Sequence, residues 1–390
     1  MEDSVVERAL VSAGRSVAHR GIAVTTMAVV ACEAGLSRST MYRHFPLGRQ
    51  QLFDQLIHWE VRKFFLGLQA EVDGLSELQE VLERGLRYAH HAVKSHFLLQ
   101  RILLEDPTIL EPALSESMQS IRSAIVAVIE PFVAKSAHSR QHADYVARLF
   151  LDYISTPGRW DLDSPQDLHW LVRDELLAGF DEPNVTVGAS KVRPLRDASD
   201  PSIRTQIINA AVTHLSFNSR DQVSLDAIGE AAGYSRASLY RTFPGGRDRL
   251  LSAVAQREGS RIFSAVADAI SSHDDLHDAI AAGLTTLWFH IENHPVLTHL
   301  RLYEPRFTNS SLRFDGATRT YFVASSFAQP LLARWMDLDS AGRLAEWLCR
   351  VVVGYWSDPA AYVAIGEPAS VALFYGRHMA TGVSQLVNRY

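Results

Sequence analysis

Two short stretches of this chain have the residue types and spacing to hold a polyanion. Ser37, Arg38, Ser39, Thr40, Tyr42, Arg43 and His44 form the first set, and Ser235, Arg236, Ala237, Ser238, Tyr240, Arg241 and Thr242 form the second, each residue 198 positions after its counterpart. Hydroxyls and a guanidinium grouped at one turn suit phosphate oxygens and the edges of bases, and a phenol next to a second guanidinium extends that reach. Just beyond each set stands another arginine, Arg49 or Arg247. Arginine is the cation best matched to bidentate phosphate contact.

The elements that must position these side chains can be read from the flanking residues. A short apolar-periodic run (Met27, Val30, Ala31; Leu225, Ile228, Ala231) follows a hydroxyl residue, Thr26 or Ser224, suited to capping a helix N-terminus. Each run stops at a glycine, Gly35 or Gly233, the residue that most easily turns left-handed at a helix end. Ser37 or Ser235 then caps a second short helix that runs to Phe45 or Phe243 and is stopped by proline. Within that helix Met41 and Phe45, or Leu239 and Phe243, are four apart and share the face that must pack inward. Two short helices joined by a tight glycine turn make a helix-turn-helix, whose second helix can enter a major groove.

The recurrence extends well beyond the motif. From Ala34 to Glu60, twelve of 27 positions are identical to their partners in Ala232 to Glu258. His96 to Pro107 aligns with His294 to Pro305 at the same offset, and Tyr153-Ile-Ser-Thr-Pro157 resembles Tyr355-Trp-Ser-Asp-Pro359 after a four-residue shift. A repeat of this length means two copies of one architecture. Apolar residues at three- and four-residue spacing predict helices over 76–95, 113–134, 143–155 and 165–180, and again over 276–293, 318–335, 341–357 and 368–387.

These residues resemble the N-terminal domain of TetR-family transcriptional regulators. The first copy matches the family pattern at Gly21, Thr25-Thr26, Ala34-Gly35-Leu36-Ser37 and Tyr42-Arg43-His44-Phe45; the second matches at Ser224, Ile228, Ala232-Gly233-Tyr234-Ser235 and Tyr240-Arg241-Thr242-Phe243. After the Phe the family usually shows a Lys and an acid, whereas here Pro-Leu-Gly-Arg49 and Pro-Gly-Gly-Arg247 run one residue longer and offer Arg. In the second copy the family Gly is Ser219, with Asn218 beside it to take the unusual backbone conformation.

The resemblance implies an all-α fold of two TetR-like protomers in tandem, each a three-helix DNA-binding module followed by a helical effector and dimerisation domain. On that basis the chain divides into DNA-binding modules at 1–48 and 202–246, effector domains at 49–180 and 247–390, and a linker at 181–201. It also places Thr25, Thr26 and Ser224 among the DNA-facing residues. Partners implied are a double-stranded DNA operator and a small apolar or amphipathic effector, with no cofactor. The candidate effector-pocket residues are the aromatics Trp59, Phe64, Tyr88 and Phe97 in the first half and Trp288, Phe289 and Tyr303 in the second. The same residues at helical spacing also suit an ordinary core.

Family members homodimerise, so the fused copies predict an internalised dimer. About 20 linker residues span up to ~65 Å extended, against the roughly 34 Å that separates two reading helices on an operator. Candidate seam residues are Tyr145, Leu149, Ile154, Trp170 and Leu177 against Trp347, Val351, Trp356, Phe374 and Val383. A homodimer of chains carrying four modules is the competing arrangement.

Composition limits the other classes. A hydrophobic fraction of 47% is ample for buried cores, and no run of eighteen apolar residues or basic–apolar leader is present, which predicts a soluble, cytoplasmic protein with no membrane partner. Net charge is −6, but residues 1–60 hold six Arg against six acids and residues 199–258 seven Arg against six acids, so the acid excess lies outside the modules. The two cysteines, Cys32 and Cys349, occupy non-equivalent places and predict no structural disulfide. His138 and His142 have a zinc-compatible spacing that nothing nearby completes, so no metal site is expected. No phosphate loop, nucleophile elbow or His-Glu-x-x-His motif occurs, and an enzyme is not expected. The rival of another class is a ligand-sensing or protein-interaction protein whose DNA-binding modules are inactive.

Overall fold

Helix boundaries in each half fall where hydroxyl caps and glycines put them. The structure, a computed structural model, describes residues 2–105, 110–133, 138–180, 185–195, 202–304 and 315–388. Regular structure among the described residues is helical throughout, and the chain separates into two units, Met1–Leu176 and Leu177–Tyr390.

The first unit contains α1 (Glu2–Arg20), α2 (Met27–Ala34), α3 (Arg38–His44), α4 (Arg49–Val72), α5 (Leu78–Ser95), α6 (Phe97–Glu105), α7 (Leu110–Val133), α8 (Ser139–Ser155) and α9 (Pro165–Leu171). One core joins the small N-terminal helices to the longer ones: Ala13, Val17, Val30, Met41 and Phe45 bury against Leu52 and Leu56 of α4 and Ile102 of α6. The module is therefore welded to the first turns of α4 and to α6 rather than hung on a hinge. Beyond it α4 packs on α5, α5 on α8, and α7 lies along α8.

The helix expected over 165–180 is α-helical only to Leu171 and then widens into a π turn, Val172–Leu176. Such a turn inserts an extra residue and re-aims its neighbours. Here it directs the Glu175 carboxylate inward, where it accepts from the Tyr153 hydroxyl and from Trp160 Nε1 at 2.9 Å. Tyr145, a candidate seam residue, donates its hydroxyl to the Glu175 carbonyl at 3.1 Å.

The second unit contains α10 (Ile203–Leu215), a 3₁₀ turn (Arg220–Gln222), α11 (Leu225–Ala232), α12 (Arg236–Thr242), α13 (Gly246–Ser271), α14 (Leu276–Glu292), α15 (Pro295–Tyr303), α16 (Asp315–Leu332), α17 (Leu338–Ser357), α18 (Pro368–His378) and α19 (Ala380–Val387). Its helices repeat the pairing of the first: α13 on α14, α14 on α17, and α16 along α17. The helix expected over 368–387 is kinked at Met379, where φ is −129°. Trp288 of α14 is fully buried against the rings of Tyr355 and Phe374, at 6.3 and 5.5 Å between centroids. Phe374, another seam candidate, thus fills the core of its own unit.

The contact boundary falls at Leu176, ahead of the expected linker. Leu177–Phe180 and residues 185–195, which form no regular structure, belong to the second unit, with Leu195 packed against the cluster of Ile262, Val266, Ile270 and Ala279.

Candidate nucleic-acid interface

In both modules the caps that were expected from sequence are formed. Thr26 Oγ1 accepts the Val29 N–H at 3.3 Å and Ser224 Oγ the Ala227 N–H at 3.1 Å, opening α2 and α11. Gly35 (φ 64°) and Gly233 (φ 74°) end those helices left-handed. Each has open space where a Cβ would stand, so conformation, not crowding, selects glycine there. Ser37 then accepts from Thr40 N at 3.0 Å and Ser235 from Ser238 N at 3.3 Å.

The seven-residue helices α3 and α12 carry the same alternation of exposed and buried positions from Ser37 to Phe45 and from Ser235 to Phe243. Met41, Phe45, Leu239 and Phe243 are buried, each at 1% exposure or less. Ser37, Arg38, Ser39, Tyr42 and Arg43 face outward, as do Ser235, Arg236, Ala237, Tyr240 and Arg241, while Thr40, His44, Ser238 and Thr242 are half-buried. The first N-terminal turn is a hydroxyl cluster, with Ser37 Oγ 2.8 Å from both Ser39 Oγ and Thr40 Oγ1. In the second, Thr242 Oγ1 turns back to donate to the Ser238 carbonyl at 2.9 Å.

Charge differs between the copies. Arg38, Arg43 and Arg241 have no hydrogen-bond or ion-pair partner among the described residues. Arg236 lies 3.5 Å from the Asp226 carboxylate and 5.6 Å from the Tyr240 ring, and its bond to Tyr240 and the Asp226 charge together raise its pKa further.

Three of the expected DNA contacts are placed differently. Thr25 is fully buried, and its hydroxyl lies 3.0 Å from Ser16 Oγ and 2.9 Å from the Gly21 carbonyl, so it holds the corner behind the interface. Arg49 turns back to the loop after α1, donating to the Thr25 carbonyl at 2.9 Å and the Ile22 carbonyl at 2.5 Å. Arg247 likewise donates to the Arg220 carbonyl. The extra residue in Pro-Leu-Gly-Arg and Pro-Gly-Gly-Arg brings these guanidiniums within reach of backbone oxygens that need donors.

The family model for "Bacterial regulatory proteins, tetR family" matches residues 9–56 and again 207–254. The chain carries the TetR-family DNA-binding domain twice. Among solved structures, that of the TetR family repressor AlkX from Dietzia sp. strain DQ12-45-1b, implicated in biodegradation of n-alkanes, is 21% identical over 49% of this chain and 100% of that chain, with a TM-score of 0.36. No curated protein matches at a significant level.

Each TetR-type module is braced at both ends of a nine-residue helix that sequence reasoning passed over. At its C-terminal end, Glu105 accepts the Ile22 N–H at 2.7 Å; that bond and then Arg101 hold its carboxyl below the usual carboxylate range. Glu304 accepts the Arg220 N–H at 2.5 Å in the second copy. At the other end a histidine caps the helix. His96 Nδ1 accepts from Leu99 N at 3.1 Å, which leaves Nε2 to donate to Glu60 at 3.2 Å. His294 and Glu258 repeat this at 3.4 and 3.3 Å. Burial pushes the Glu258 carboxyl up, but bonds from His294 and Arg257 and the charges of Arg257 and Arg261 outweigh it and bring it to about 2. Glu60 is lowered in the same way, by His96 and Lys63 against its burial. The identity of Glu60 with Glu258 and of His96 with His294 at the common offset was the available signal.

The corner after α1 is built differently in the two copies. Gly21 has φ 91° with the Glu105 carboxylate pressed against it, whereas Ser219 has φ −62° and caps the 3₁₀ turn. Asn218 does not replace the glycine; its amide folds back to the His214 carbonyl at 2.9 Å.

Of the effector candidates, Phe64 and Tyr88 meet at 5.9 Å between rings, and Trp59 is half-buried with Lys63 4.1 Å above it. Phe289 is half-buried beside His290. Phe97 and Tyr303 point outward, at 82% and 72% exposure, because each lies on the open side of its short helix, and Trp288 belongs to the core described above. Cys32 and Cys349 are both free thiols, and no group of three metal ligands is found among the described residues. No helix among those residues is long and apolar enough to cross a membrane.

Proposed function

We propose that the protein is a sequence-specific transcription regulator, a ligand-responsive repressor in which a single chain supplies both half-site readers of one operator. The observation that carries this is the matched exposure of Ser37–Phe45 and Ser235–Phe243: two helices duplicated in one chain keep the same face apolar and the same face studded with Arg, Tyr and Ser. Because Ser39, Thr40 and His44 are replaced by Ala237, Ser238 and Thr242, the target is an imperfect inverted repeat. Neither module is strongly basic, with six or seven Arg against six acids, so affinity falls only modestly with salt.

Response to an effector is supported by the braces. Each module shares its core with α4 or α13 and is tied to the far end of α6 or α15, so a ligand that shifts these helices must move the reading helix. Such a ligand acts by preferring one arrangement over the other.

A nuclease footprint of the purified protein on the DNA next to its own gene tests the reading. One protected pseudo-palindrome of about 15 to 20 base pairs is expected, roughly two helical turns, and both Arg38→Ala and Arg236→Ala should weaken it. A footprint twice as long would assign four modules to each operator. Absence of specific protection on any DNA, with the protein folded, would reject the regulator in favour of a sensor.

A further inference from the structure

The first turn of α10 reaches both ends of the second reading helix. Ser202 Oγ caps that turn, accepting from Thr205 N at 3.3 Å. Gln206 Oε1 accepts from the Tyr234 hydroxyl at 2.7 Å, at the corner just ahead of α12. Two residues earlier, Arg204 holds its guanidinium over the ring of Phe243, 4.8 Å from the centroid, at the other end of α12. Phe243 is fully buried and Arg204 is exposed. A cation over a ring is attracted through its charge and keeps its N–H donors. Arg204 gives those donors to no hydrogen-bond or ion-pair partner among the described residues. A reading helix meets base edges with its N-terminal residues, so a cation beside its C-terminal end is placed for phosphates rather than bases.

The first module is built differently at this place. The position 198 before Arg204 is Val6, which packs on the core of its own module. The nearest arginine, Arg8, is exposed at the place of Gln206. Residues two apart on a helix lie about 200° apart around its axis, so Arg8 stands on another face and does not replace Arg204. In the second module Arg236 is shared with Asp226 at the N-terminal end of α12, and Arg204 adds an uncommitted charge near the C-terminal end.

We propose that Arg204 is a phosphate ligand of the second half-site and has no counterpart at the first. Its partner is a phosphodiester of the DNA backbone, so it holds the second module to DNA without choosing a sequence. The Phe243 ring fixes the long side chain in advance, which reduces the entropy that binding must remove. The proposal rests on the reading of the chain as a DNA-binding regulator, and it adds a contact from outside the reading helix to one half of the operator alone.

Phosphate-ethylation interference and salt titration test it, with the full chain and a duplex carrying the footprinted sequence. Ethylation of a phosphate at the second half-site, the one whose protection Arg236→Ala weakens, should hinder binding with no symmetric partner at the first. Arg204→Met keeps an unbranched stem over Phe243 and removes the charge. It should erase that interference, weaken binding about threefold and lower the slope of log affinity against log salt by about one. Arg204→Lys should restore the slope. A Met variant with the parent's interference pattern and salt slope would overturn the contact, and if Arg38→Ala still weakens binding the regulator reading stands without it. Absence of specific binding by the parent to any DNA would overturn that reading and the contact together.

Discussion

Arg38 stands on the first reading helix without a partner among the described residues, while its counterpart Arg236 is shared between the Asp226 carboxylate and the Tyr240 ring. The position of Asp226 is Ala28 in the first module. The elements that set the two helices are the same: the serine caps, the left-handed glycines, the buried pair at the first and fifth places of the inner face. The comparison teaches that duplication has kept the scaffold that aims the reading helix and has changed the charge available at its tip. Two modules of like fold are then expected to differ in how strongly they hold DNA.

The largest effect should come from removing the free cation. Arg38→Ala is expected to weaken operator binding by about 10- to 100-fold, the range for a good base or phosphate contact, and Arg236→Ala by only about 3- to 10-fold, because part of its charge is already committed. Mobility-shift titrations on one operator give both numbers. Equal losses would break the comparison. Arg38 makes no hydrogen bond or ion pair with another described residue, so its removal should leave the thermal midpoint unchanged.

Next in size is the brace under each module. Glu258 sits at about 2 against an ordinary 4.5, a gap worth roughly 3 kcal/mol. The folded value is the depressed one, so this stability is complete above about pH 4.5 and drains away as pH falls toward 2. Glu258→Gln should cost the second unit about that much at pH 7 in urea unfolding, and less than half as much at pH 3. The same change at Glu60, with a lysine where the second copy has Arg261, should cost less at both values. A difference between parent and Glu258→Gln that stays constant with pH would show that the carboxylate is not what the brace uses.

The third contrast lies in the corner after α1. Gly21→Ala must place a Cβ 2.6 Å from the Glu105 carboxylate at φ 91°, and should cost about 2 kcal/mol of first-unit stability. Ser219→Ala removes one cap of a short turn and should cost about 1 kcal/mol. Calorimetric unfolding of the two variants compares them directly, and a reversal of their order would mean that the corners are not interchangeable solutions to one problem.

Much of the scaffold was legible because it depends on local chemistry. Thr26, Ser224, Ser37 and Ser235 cap helices since an Oγ one turn ahead of a free N–H does so in any fold, and Gly35 and Gly233 announce a left-handed residue by type alone. What stayed hidden depends on distance through space. Arg49 and Arg247 read as phosphate ligands, but their nearest unsatisfied acceptors are carbonyls 24 to 27 residues back. Thr25 and Thr26 are adjacent and chemically alike, yet only one is exposed. Aromatic residues at helical spacing gave no way to separate Trp288, in the core, from Tyr303, in the open. The placement of residues 185–195 was hidden for the opposite reason: a proline-bearing segment without helical periodicity is held by backbone hydrogen bonds at Arg193 and by Leu195.

The smallest effect is also the sharpest test of the comparison, because it runs in the direction of gain. Asp226 is exposed at the first turn of α11, where its charge favours the helix and detains Arg236, and in a complex it would face phosphates. Asp226→Ala gives up the first benefit and frees the guanidinium, so operator affinity should rise about threefold at low salt. Placing the carboxylate in the other module, as Ala28→Asp, should lower affinity by a similar factor. Both changes should fade as salt approaches 0.5 M, since exposed charges are screened over a few ångströms there. If Asp226→Ala leaves affinity unchanged at low salt while Arg236→Ala still weakens it, the ion pair does not restrain the arginine. The weaker hold of the second module would then have to arise from Ala237 and Thr242, which replace Ser39 and His44, rather than from charge.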